Sequence, residues 1–126
     1  MEEKDREIWI GENRFYLGEN NILYETIVGE IDEKTALASK EATIKMRSKV
    51  EGRLNILIDL TRAGKPTPEA RKIGQEELEH ETVGKVALFG MHPVARVIAS
   101  FVMGVSSKKD MRFFKTREKA LAWLKE

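Results

Sequence analysis

Leu54-Asn55-Ile56-Leu57-Ile58-Asp59-Leu60 is apolar at five of its seven positions and does not alternate. A strand with one wet face alternates apolar and polar residues, whereas a strand covered on both faces by helices does not. The run therefore predicts a central strand. Thr61-Arg62-Ala63-Gly64-Lys65-Pro66 follows as a connection, and Thr67-Pro68-Glu69 then places a capping hydroxyl, a proline at the first helical position and a carboxylate in the first turn. A helix starts there and runs to about Glu81 on a thin apolar face of Ala70, Ile73 and Leu78. Lys85-Val86-Ala87-Leu88-Phe89 is a second run of the buried type. Strand, helix, strand in this spacing predicts two parallel strands joined by a crossover.

Working outward, Ile8–Ile10 and Arg14–Leu17 read as short strands, and Gly18-Glu19-Asn20-Asn21 as a turn before the strand Ile22–Val28. Asp32 stands as an N-cap ahead of a helix to Val50, with Ala36, Ala42, Met46 and Val50 on one side and Leu37 with Ile44 nearly opposite. Either side can face the core. Downstream, Pro93 opens a helix that ends near Gly104, Met111–Lys115 is a last strand, and Thr116 caps a helix with Ala120, Leu121 and Leu124 beside Trp123. The expected fold is α/β: a mainly parallel four- to five-stranded sheet with an antiparallel N-terminal strand and about four helices, in one domain spanning residues 1–126.

Composition removes several function classes. The 22 basic and 21 acidic side chains nearly cancel, so no global field draws the chain to nucleic acid or an anionic membrane. Nucleic acid is not expected as a partner. With no cysteine, thiolate chemistry is excluded, and two histidines make a zinc site a poor fit. The charged N-terminus leads into no signal-type apolar segment, and Pro93–Val105 is far shorter than the roughly 20 residues of a spanning helix. The expectation is a cytoplasmic chain with no transmembrane segment.

The element order, the strand ending Ile58-Asp59-Leu60-Thr61 before a helix, and Arg112-Phe113-Phe114 followed by Ala120-Leu121-Ala122-Trp123-Leu124 together resemble the STAS domain superfamily, in its SpoIIAA-like branch. The resemblance covers nearly the whole chain. It implies a non-enzymatic regulatory module acting through protein–protein interaction, of the kind that a kinase switches by phosphorylating a hydroxyl at a helix start. It also implies a second possibility, since CRAL-TRIO-like relatives of this architecture carry lipids or other small ligands. Where antagonists of this kind carry Asp-Ser-Ser-Gly, this chain has Gly64-Lys65-Pro66-Thr67-Pro68-Glu69, and only Thr67 matches by type.

Candidate functional residues collect where strand ends meet helix starts. Thr61, Arg62, Lys65, Thr67, His92 and Arg96 form a candidate anion or partner site, because free backbone N–H groups and the positive helix end favour an anion. His92 lacks the nucleophile and the orienting carboxylate that a catalytic base needs, and no phosphate loop, serine elbow or dinucleotide motif is present. Neither catalysis nor a cofactor is expected. The run Glu76-Glu77-Leu78-Glu79-His80-Glu81 is read as a solvated helix face. On the Pro93 helix, Val94, Val97, Ile98, Phe101 and Val105 form a core stripe, and Ala95, Ala99, Val102 and Met103 extend the apolar surface around one flank. That flank is a candidate apolar interface, suited to a homodimer or to the edge of a lipid-accepting cleft.

Overall fold

Six strands lie side by side in the order of the sequence. They are β1 (Glu7–Ile10), β2 (Asn13–Leu17), β3 (Ile22–Ile31), β4 (Leu54–Pro66), β5 (Val83–Phe89) and β6 (Met111–Phe114). The computed structural model describes residues 1–91 and 110–126. The helix expected from Pro93 to Gly104 lies outside those residues, and with it His92, Arg96 and the candidate interface Ala95, Ala99, Val102 and Met103. β1–β2 and β2–β3 pair antiparallel, and β3–β4, β4–β5 and β5–β6 pair parallel. The protein is thus α/β with a mixed sheet: antiparallel at the N-terminal side, parallel over the rest, and six strands where four to five were expected.

Three α-helices are described: α1 (Glu33–Arg47), α2 (Pro68–Leu78) and α3 (Arg117–Leu124). Each begins where a side chain caps it, with Asp32 accepting from the Thr35 N–H, Thr67 from the Ala70 N–H and Thr116 from the Lys119 N–H. The second of these ends at Leu78, three residues before the expected Glu81.

Strand parity sorts the core into two layers. Phe15, Leu23, Ile56, Ile58, Val86 and Leu88 turn to the face that α1 covers, together with Ala42 and Met46. Ile22, Leu57, Ala87 and Phe89 turn to the other face, under Ala120, Trp123 and Leu124 of α3. The non-alternating run of β4 has this cause: Ile56 and Ile58 belong to one layer and Leu57 to the other. Phe113 and Phe114 divide the same way, the first packing with the α1 layer and the second against Trp123 at 5.6 Å. The open choice on α1 is settled, since Ala36, Ala42 and Met46 are buried while Leu37 and Ile44 stay 45% and 44% exposed.

One boundary needs correcting. The sequence reading ends the central strand at Leu60 and treats Thr61–Pro66 as a connection, whereas β4 continues to Pro66 because β3 continues beside it. The pairs Val28 with Arg62, Gly29 with Ala63 and Ile31 with Pro66 prolong the ladder, with bulges between Thr26 and Val28 and between Gly29 and Ile31. β5 stops pairing at Asp59 with Phe89. The two strands therefore run on as a parallel ribbon, and a Thr67 N–H to Ile31 carbonyl bond of 2.9 Å holds the starts of α1 and α2 together at its tip.

Candidate functional site

Leu23, Glu25 and Ile27 share one side of β3, so a strand whose parity buries the two aliphatic residues also buries Glu25. Glu25 lies opposite Phe15 on β2 and Ile58 on β4, beneath α1. The Thr43 hydroxyl is 3.2 Å from Glu25 Oε1 and 3.0 Å from the Ser39 carbonyl. The hydroxyl carries one proton for these two acceptors, Glu25 Oε1 and the Ser39 carbonyl, and a protonated Glu25 carboxyl can donate to the hydroxyl oxygen in turn. Burial favours that protonated form, and it pushes the Glu25 pKa up to about 7; the hydrogen bond from Thr43 opposes the shift and the nearby Glu77 carboxylate adds to it.

Glu77 corrects the reading of residues 76–81 as a solvated face. It is 7% exposed and ion-paired with Arg47 of α1. Burial raises its pKa, while Arg47, His80 and Lys40 pull it down. A helix whose inner residues are Ala70, Ile73, Gly74 and Glu77 has little bulk to set against the sheet. A groove of about 1030 Å³ lies among the described residues, bounded by the inner faces of α1 and α2 and by the strands from β3 to β6. Its walls are mostly apolar, with Glu25, Thr43 and Glu77 as polar points inside and Lys40, Lys65 and Arg71 as cations along its lining.

The sequence-derived set divides. Lys65 lines the groove beside the start of α2. Thr67 caps α2, its hydroxyl accepting from Ala70 N–H at 3.1 Å. Thr61 and Arg62 are exposed on the ribbon and do not line the groove; the Thr61 N–H donates to Asp59 Oδ1 at 2.9 Å and Arg62 lies 3.6 Å from Glu12. Among the described residues no group of three or more His, Cys, Asp or Glu side chains is arranged to hold a metal, and no helix is long and apolar enough to cross a membrane. Glu25 and Glu77 escaped the sequence reading, although the parity of Leu23, Glu25 and Ile27 carries the signal for the first.

Residues 15–126 match the family model described as "Domain of unknown function (DUF7793)". The chain belongs to that family. No curated protein matches it. Among solved structures, it is similar to an uncharacterised DUF3478-family protein with a SpoIIAA-like fold from Shewanella loihica PV-4. The identity there is 15%, with 89% of this chain and 91% of that one covered at a TM-score of 0.68. It is similar also to the anti-sigma factor antagonist SpoIIAA in its unphosphorylated form, at 16% identity, 90% and 97% coverage and a TM-score of 0.61. The phosphorylated form of the Bacillus cell fate determinant SpoIIAA gives 13%, 89% and 98%, and 0.63. The DUF7793 chain therefore has a SpoIIAA-like fold, as the resemblance drawn from its sequence implied.

Proposed function

We propose that this DUF7793 domain is a non-enzymatic binding module that acts through protein–protein contact. The observation that carries the reading is the ribbon tip. There Asp32 and Thr67 set two helix starts side by side, and β4 from Leu60 to Pro66 has no strand on its far edge among the described residues. A strand edge beside an exposed charged helix is a surface that a partner chain can read by strand addition or by charge. The fold adds support, since an antagonist of an anti-sigma factor, which shares it, acts on a protein. A photo-cross-linking residue placed at Lys65, with a second placed at Lys125 as control, tests the reading in living cells. A defined partner captured from position 65 and not from 125 is expected; equal capture from both positions overturns it.

The groove favours a second reading, a carrier of a small ligand or lipid with an apolar body. Its polar end would meet Lys40 or Arg71 at the lining and Glu25 inside, and the wall residues suit an acyl or ring skeleton. Mass spectrometry of natively purified protein distinguishes the two, because a stoichiometric apolar cargo supports the carrier and a cargo-free protein supports the contact module.

A further inference from the structure

The geometry points to β1 as a self-association strand: two copies join edge to edge about a twofold axis at Trp9, which continues the sheet from one copy into the other. β1 ends the sheet, and its outer edge has no partner among the described residues. The N-terminal 3-10 turn, Glu3–Arg6, does not cover that edge. It is tied instead to β2 and to the turn after α1, through Arg6 to the Leu17 carbonyl, Tyr16 to Glu3 and Lys49 to the Asp5 carbonyl. Proteins usually protect such edges with lysine, proline or a bulge. β1 reads Glu-Ile-Trp-Ile, and Trp9 is 57% exposed.

Hydrogen-bond parity selects the axis. Ile10 pairs with Asn13 across a two-residue turn whose first residue is Gly11 at φ +60°. Such a turn closes on a hydrogen-bonded pair, so Ile10 and Ile8 point their backbone groups inward to β2, and Trp9 and Glu7 point theirs outward. Side chains directly opposite one another across a ladder share a face. Ile8 and Ile10 face the α1 layer, so they must meet an isoleucine, and Trp9 must meet Trp9 or Glu7. An axis at Trp9 lets the two Trp9 residues exchange N–H and C=O and sets each Ile8 against the second copy's Ile10. An axis at Ile8 would instead press Glu7, already bound to Trp9 and Arg14, against the second copy's Trp9 and leave Ile10 unmatched. α1 contacts β1, β2 and β3, which centres it over β2. Two α1 helices in the joined sheet then lie about three strand spacings, or about 14 Å, apart, outside the 8–10 Å of packed helices, so they do not collide.

The chain has no cysteine, so the register can be read by cross-linking. Ile8→Cys and Ile10→Cys proteins, oxidised as a mixture, should give a disulfide-linked dimer at least about tenfold more readily than either alone, because Ile8 opposite Ile10 is the close, non-hydrogen-bonded pair. Sedimentation of the wild type should show reversible dimerisation at concentrations up to the order of 1 mM, as suits a small contact. Trp9→Pro removes only an outward N–H and should abolish dimer and cross-link while circular dichroism is unchanged; Trp9→Thr, which keeps the strand, should weaken both. A wild type that stays monomeric overturns the proposal. So does an Ile8→Cys protein that cross-links alone as well as the mixture, or a dimer indifferent to both Trp9 variants.

Discussion

Replacing Glu25 by Gln tests the electrostatics of the groove floor. In the folded protein the Glu25 carboxyl is raised from the ordinary 4.5 to about 7. Between those values the native state holds a proton that the unfolded chain has released, so stability is complete below about pH 4.5 and falls as the pH rises towards 7. At 1.36 kcal/mol per unit, the loss on the alkaline side amounts to at most about 3 kcal/mol. The groups that face Glu25 are Thr43, which donates or accepts, and Glu77, which disfavours a second negative charge while Arg47 holds it. Glutamine keeps the shape and, like the protonated acid, donates to Thr43, but it carries no charge at any pH. Urea unfolding of both proteins at about pH 5 and about pH 8 should show a variant within about 1 kcal/mol of wild type in acid and more stable by up to about 3 kcal/mol in base. Asp32 and Glu7 have lowered pKa values, the first from the Thr35 N–H and the second from Trp9 and then Arg14, and titrate with the opposite sign. Both proteins share them, so they cancel in the difference. A difference that does not change with pH, or a variant less stable at pH 8 than at pH 5 relative to wild type, refutes the assignment of a buried protonated Glu25.

Three further outcomes follow from the same geometry. Arg47→Met leaves Glu77 buried without its ion partner and should cost about 3 kcal/mol or more in chemical denaturation; adding Glu77→Gln should restore most of that loss. Thr67→Ala removes the α2 cap and should cost about 1 kcal/mol, whereas Thr67→Ser should be within a few tenths of wild type by the same assay. Gly90 sits at φ +83° with Thr61 occupying the place a Cβ would take, so Gly90→Ala should lower stability by roughly 2 kcal/mol, and a thermal melt unchanged from wild type would show the site to be slack.

The parallel layout was legible because β4 and β5 are buried on both faces, and that condition writes an unbroken apolar run into the sequence. The helix starts were legible because Asp32, Thr67 and Thr116 each do a local job three residues ahead of their own position. Harder to read was whatever depends on a distant partner. Leu37 and Ile44 look as core-like as Ala42 and Met46 until the sheet chooses a side of α1. Glu77 looks solvated until Arg47, thirty residues away, is placed against it. The ribbon was hidden for the same reason: Thr61–Pro66 has loop composition, and only the continuation of β3 beside it makes a strand. Glu25 is the exception, a polar residue at an inward position of a strand, legible once parity is applied.

Because the strands stand in the sheet in the order in which they occur in the chain, each new strand docks on an edge that its predecessor has just provided. No strand has to be inserted between two already paired, and the hairpin β1–β2 closes across two residues before any crossover is needed. Such a layout keeps the sequence separation between partners short for a sheet protein, which favours rapid folding and growth of the sheet from the N-terminal hairpin during synthesis. It also gives the two edges different histories. The β6 edge forms only with the last strand of the sheet, whereas the β1 edge is present from the first hairpin. On a ribosome-crowded messenger, neighbouring nascent chains would expose that same edge to one another before any of them is complete.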